Sequence, residues 1–249
     1  MKFLSLISLL ILLSFTRVAS AAPMGDKDAL VIIDMQAMFV TRGGYSDDEE
    51  NKKKVQEVLR NQLEAIKLAK AAKIPIIFLE YEGFGNTNDD LKKEVEGYPD
   101  AKIFLKNTDG MFDSYNKHKA ELVAFLESKN VKSLIITGAN GGACVLDSIS
   151  GSLDSNYNVI AYSKGIADFN YKEFIYPYDH HYNFTPTCAD CKFKEVDNMQ
   201  VVALELAAGP LKKSILKDEK INDTGRNYRK DASDSNHNSE QQNSEVLGK

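Results

Sequence analysis

Three side chains stand where apolar runs end, and their types together suit nucleophilic chemistry: Asp34, Lys106 and Cys144. A cysteine attacks as its thiolate, which a helix N-terminus and a nearby cation both favour. Lys106 can supply the cation. Asp34 can accept the thiol proton and later return it to a leaving group. The run Gly138-Ala139-Asn140-Gly141-Gly142-Ala143 leads into the cysteine. A turn of that composition brings backbone N–H groups around the sulfur, where they can hold a developing oxyanion. Taken singly, each residue has a plainer reading: a turn-forming Asp, a solvated Lys, a small buried Cys. Their combination favours a site.

The elements that must position them follow from the apolar pattern. Ala29–Ile33, Ile74–Leu79, Ile103–Leu105, Val131–Thr137 and Tyr157–Tyr162 read as strands, several of them continuous apolar runs of the kind buried on both faces. Lys54–Ala72 carries Val55, Val58, Leu59, Leu63, Ile66 and Ala69 at helical spacing. Asp113–Lys129 and Cys144–Leu153 read as further helices. Strands alternating with helices predict a three-layer α/β/α domain with a mostly parallel, Rossmann-like sheet, over residues 23–211. In such sheets ligands bind at the carboxyl ends of the strands, where the three residues fall.

Composition narrows the function classes. Of 249 residues, 43% are hydrophobic and 27% charged, ordinary globular values that exclude collagen, a coiled-coil rod and a wholly disordered chain. A net charge of −5 argues against a polycation built for nucleic acid. Residues 1–21 read as a signal peptide: Lys2, an apolar core from Phe3 to Leu13, then the small-residue site Ala19-Ser20-Ala21. The apolar run is too short to span a bilayer, so no stable membrane anchor is expected. The expected location is secreted or periplasmic. Residues 212–249 are polar and read as a disordered tail.

Three motifs occur in order. Asp34-Met35-Gln36-Ala37-Met38-Phe39 has the form D-x-Q-x-x-F. Lys106 and Phe112 form K-x5-F. Gly138 to Val145 follows G-x-x-T-x-x-C-V, with Gly141 in place of the usual Thr. With these the sequence resembles the isochorismatase-like cysteine hydrolases, which include nicotinamidases, N-carbamoylsarcosine amidohydrolases and ureidoacrylate amidohydrolases. The resemblance covers roughly Asp28 to Asp168. It implies Asp34 as acid/base, Lys106 as cationic partner and Cys144 as nucleophile. It implies a cis peptide between Ala139 and Asn140, with the N–H groups of Asn140 and Cys144 forming the oxyanion hole. Gln36, Phe39 and Phe112, the other motif side chains, are expected to bind substrate. Metal-binding members carry Asp-x-His after the second strand; Glu80-Tyr81-Glu82 stands there, so no metal is expected, and no cofactor. Retention of Cys144 favours C–N hydrolysis of a small amide or ureido substrate. The resemblance also suggests a homo-oligomer.

Cys188-Ala189-Asp190-Cys191 is a C-x-x-C. In an exported chain with three Cys, a Cys188–Cys191 disulfide leaves Cys144 free. Zinc held with His180 and His181 is the competing reading. Asn183-Phe184-Thr185 and Asn222-Asp223-Thr224 are glycosylation sequons, and Tyr171, Phe174, Tyr176 and Tyr178 could line a pocket lid or pack on the surface. The rival to the enzyme reading is a non-catalytic binding protein of the same fold, motivated by Gly141 and by the unusual segment 170–194.

Overall fold

The structure, a computed structural model, describes residues 27–40, 49–168 and 191–199, all within one compact unit. Residues 1–21, where a signal peptide is expected, His180, His181, Cys188, both sequons, the aromatic segment and the polar tail lie outside the described residues.

Six strands form one parallel sheet: β1 (Lys27–Ile33), β2 (Ile76–Tyr81), β3 (Ala101–Lys106), β4 (Val131–Ala139), β5 (Asn158–Ala167) and β6 (Phe193–Val196). Their spatial order is β3-β2-β1-β4-β5-β6. The chain therefore builds outward from β1 to one edge, returns beside β1 as β4, and builds to the other edge. The turning point between β1 and β4 is where doubly wound folds place their ligands.

The five apolar residues Ala29–Ile33 are all buried, as a central strand covered on both faces requires. Alternate residues enter different layers. Ala29, Val31 and Ile33 pack with Leu122, Leu126, Ile149 and Leu153. Leu30 and Ile32 face Val58, Ala65, Ile66 and Ala69. Full burial of each large side chain contributes about 1.5–3 kcal/mol. The predicted three-layer α/β/α domain is thus observed. Helix α2 (Glu49–Ala72) covers one face with α3 (Asp89–Glu94), after the short α1 (Ala37–Val40). Helices α4 (Lys119–Ser128) and α5 (Leu146–Asp154) cover the other.

Two helices differ from the sequence reading. Helix α4 starts at Lys119 rather than Asp113 because local side chains capture the backbone first. Asp113 Oδ1 accepts from Tyr115 N at 2.8 Å, and Asn116 Oδ1 accepts from His118 N at 3.1 Å. Such bonds compete with helical ones. The helix predicted from Cys144 starts instead as a π-helical turn, Gly141–Val145, that runs into α5. Among the described residues no helix is long and apolar enough to cross a membrane.

Candidate active site

Asp34 is the residue after β1. It leaves the strand at φ 51°, a left-handed conformation that Asp tolerates better than most residues, and it is fully buried. Lys106 ends β3, two strands away, and is also fully buried. Its Nζ reaches across β2 to lie 2.8 Å from Asp34 Oδ2. The ammonium also donates to Thr108 O at 3.1 Å and sits 4.3 Å from the centre of the Tyr81 ring. The contact with Asp34 is an ion pair by distance, but its angles fall short of a formed hydrogen bond, and Asp34 Oδ1 has no hydrogen-bond partner among the described residues. Burial raises the Asp34 carboxyl to about 6, against the lowering pull of Lys106.

The cysteine reaches this pair because β4 can approach β1 closely. Gly138 pairs with Ile33 at φ 135°, and a Cβ there would lie 2.2 Å from Ile33 O, so only glycine fits. The peptide between Ala139 and Asn140 is cis, as the resemblance implied. The chain then winds into the π-turn, closed by Val145 N donating to Asn140 O at 3.1 Å. Such turns are frequent at functional sites. Cys144, a free thiol, is 5% exposed. It lies near enough to Asp34 and Lys106 for both charges to act on it, and its Sγ is 3.6 Å from Asp109 Oδ1.

This placement corrects one expectation. The sulfur does not sit at the first turn of an α-helix poised as a thiolate. Burial and the Asp34 carboxylate push the thiol well above its ordinary range, and Lys106 offsets only part of that.

The other motif side chains have structural employment. The Gln36 amide donates to Tyr81 O at 3.0 Å and Gly85 O at 2.5 Å, while its oxygen accepts from Tyr81 N at 2.6 Å. Gln36 thus clamps the end of β2 rather than facing a ligand. Phe112 is a core residue: it is buried, stacked on Tyr157 at 5.3 Å, and packed where Gly151 leaves room. Phe39 stacks on Phe84 at 5.0 Å, and Phe84 meets Tyr81 edge-on at 5.1 Å, so an aromatic wall leads from Phe39 to Lys106.

Two site residues escaped the sequence reading. Asp109 is exposed yet touches the sulfur. Asp168, buried after β5, accepts from Gly142 N at 2.5 Å and so ties down the cysteine turn. It braces the segment in which Gly141 replaces the family's Thr. An Asp in an exposed loop and an Asp at a strand end are both too common to signal this. Glu80, in the place of a metal-binding Asp, turns inward to accept from Thr87 N at 2.7 Å. Among the described residues no group of three or more His, Cys, Asp or Glu is arranged to hold a metal ion.

Fold and site together define a doubly wound α/β protein with a cysteine–lysine–aspartate centre at its turning point. The Isochorismatase domain profile matches residues 28–183, and the chain belongs to the isochorismatase family. It is 31% identical over 145 residues to isochorismatase family protein 1A of Dictyostelium discoideum, covering 57% of this chain and 63% of that protein. The match thus spans just under two thirds of that relative's length. Among solved structures, YcaC from Pseudomonas aeruginosa superposes with a TM-score of 0.53 at 19% identity, covering 73% of this chain and 81% of that one. The nicotinamidase/pyrazinamidase from Bacillus subtilis gives 0.52 at 13% identity, covering 68% of this chain and 100% of that one. At these identities the likeness speaks for the fold alone.

Proposed function

We propose that the protein is a cysteine hydrolase that cleaves the C–N bond of a small amide or ureido substrate through a thioester on Cys144. The observation that carries this reading is the convergence of Cys144, Asp34 and Lys106, from three separate strand ends, on one buried point.

The chemistry follows from the geometry. Asp34 accepts the Cys144 proton as the sulfur attacks the carbonyl carbon. The N–H groups of Asn140 and Cys144 receive the oxyanion. The C–N bond breaks, and Asp34 returns its proton to the departing nitrogen, leaving an acyl thioester. Asp34 then takes a proton from water, whose oxygen displaces the sulfur. The acid leaves and Cys144 recovers its proton. Lys106, 2.8 Å from Asp34 Oδ2, stabilises the ionised form of Asp34.

Family membership supports hydrolysis, and Asp168 weakens the case for a binding protein that has lost its chemistry, because the Gly141 turn is braced. Export through cleavage after Ala21 and a Cys188–Cys191 disulfide are part of the same proposal, as is self-association. Amino-terminal sequencing and mass mapping of the non-reduced, alkylated protein test the first two. Sedimentation tests the third.

The function is tested by ammonia release from a panel of small amides. Cys144→Ala is expected to abolish turnover with an unchanged circular dichroism spectrum, and mass spectrometry of the quenched native enzyme to show an acyl adduct on Cys144. Full turnover by Cys144→Ala refutes the mechanism.

A further inference from the structure

The charges around the sulfur are unevenly shared. Lys106 and Asp34 form a buried pair that is neutral when both are ionised. Among the described residues Asp109 forms no ion pair: its carboxylate is exposed, and one oxygen lies 3.6 Å from Cys144 Sγ. The backbone holds it there. Thr108 O accepts from Lys106 Nζ, Thr108 Oγ1 donates to Gly110 O at 3.0 Å, and Gly110 packs so closely on Asp147 that an added Cβ would lie 3.3 Å from Asp147 O. The loop is thereby fixed against both β3 and the first turn of α5. Asp109 acts in one direction on four neighbours: it raises the Cys144 thiol, the Asp34 carboxyl, the Tyr81 phenol and the Asp147 carboxyl. Asp147, exposed in the first turn of α5, adds to the same side, with Asp113 beside it.

We infer that Asp109 is a specificity-determining residue at the approach to Cys144, selecting neutral or cationic amides and rejecting substrates that carry a carboxylate near the scissile bond. The inference rests on the proposed hydrolysis and names its substrate class. A carboxylated substrate seated on the sulfur brings its charge within a few ångström of Asp109, where like charges repel at a partly desolvated surface. An amide bearing an amino group meets attraction from the same carboxylate. Selection of this kind works by penalising the wrong ligand as much as by holding the right one.

Charge selection can be read on the sulfur itself, without turnover. The Cys144 thiolate displaces methanesulfinate from a methanethiosulfonate and forms a mixed disulfide. The 2-aminoethyl reagent is a cation and the 2-sulfonatoethyl reagent an anion of similar size. Rates at Cys144, followed by peptide mass mapping, are expected to favour the cation in the native protein. In Asp109→Asn the ratio of the two rates should fall about tenfold, the order expected for one charge acting with opposite sign on two reagents. Any change in the ionisation of Cys144 scales both rates equally and cancels in the ratio. Raising ionic strength should compress the ratio in the native protein and leave the variant nearly unchanged. With hydrolysable amides, the same variant should lower KM for a carboxylated amide relative to a neutral one. Equal rates for both reagents, or an unchanged ratio in Asp109→Asn, overturns the inference. So does failure of both reagents to label Cys144, because a selecting entrance presupposes an accessible sulfur. If the charge preference holds but no amide is turned over, the proposed function fails and the charge selection stands. If amides are hydrolysed with no preference, the reverse is true.

Discussion

Lys106 is the most direct handle on the site, because the structure assigns it one dominant task. It is fully buried, and its ammonium lies 2.8 Å from a carboxylate that is itself out of water. Lys106→Met keeps the unbranched side chain to within one heavy atom of its length and removes the charge. What remains is Asp34 with its desolvation unopposed. In the native protein Asp34 is already raised from 3.8 to about 6. Between those values the folded chain holds a proton that the unfolded chain has released. The contribution of Asp34 therefore destabilises as pH rises through that window, by about 3 kcal/mol in all. Without Lys106 the window extends upward, and each further unit adds about 1.4 kcal/mol.

The consequence is a pH-dependent penalty. Near pH 5 Asp34 is largely protonated in both proteins, and Lys106→Met costs about 1 kcal/mol, the scale of a lost hydrogen bond. Near pH 8 the native protein holds an ionised pair. The variant must bury a lone carboxylate or hold its proton against the solvent, at about 3–5 kcal/mol. Urea unfolding followed by circular dichroism at both pH values measures the difference. Adding Asp34→Asn to the variant removes the stranded charge, so the double variant should be more stable than Lys106→Met near pH 8 and nearly indifferent to pH. The reasoning is refuted if Lys106→Met costs the same at both pH values, or if the second substitution rescues nothing.

Three other outcomes follow from the geometry. The kcat/KM for amide hydrolysis should rise with pH as Asp34 ionises near 6, and Asp34→Asn should remove that limb with a rate loss of about 100-fold or more; a flat profile in the native enzyme contradicts Asp34 as base. Asp168→Ala deprives Gly142 N of its acceptor, so kcat should fall with KM little changed and stability should drop by about 1–3 kcal/mol, measured by urea unfolding. Gly138→Ala drives a Cβ to within 2.2 Å of Ile33 O and should prevent folding, at about 4 kcal/mol or more, seen as loss of soluble protein with native circular dichroism.

The three reactive residues were legible because each follows an apolar run, and a buried strand announces itself by composition. Asp34 after Ala29–Ile33 is the clearest instance. The sheet order was not legible. Nothing in the local pattern says that β3 lies two strands from β1, which is the reason Lys106 needs its full length to reach Asp34. Gln36 and Phe112 show a different limit. Their motif positions place them near the site, but which way a side chain turns is decided by neighbours remote in sequence: Tyr81 and Gly85 for Gln36, Tyr157 for Phe112. Strand β6 was hidden for the reason that Phe193–Val196 is short and mixed in polarity, as edge strands often are.

The protonated state of Cys144 bears on how the nucleophile works. A buried thiol that ionises by losing its proton to solvent adds a negative charge beside Asp34 and Asp109, and burial together with that repulsion opposes it. Transfer of the same proton to ionised Asp34 leaves the net charge of the cluster unchanged, so neither penalty applies in full. The cost of burial, which raises the thiol, also raises Asp34 to about 6 and makes it a stronger base than an exposed Asp. Both groups are displaced in the same direction by the same low-dielectric surroundings, the thiol the further of the two, so in the proposed mechanism the proton leaves the sulfur only as the new S–C bond forms. In the proposed mechanism Lys106 favours ionised Asp34 near neutral pH, so the acceptor is vacant when a substrate carbonyl reaches the sulfur. On the proposed mechanism the raised thiol confines reactivity to the moment when attack and proton transfer occur as one step.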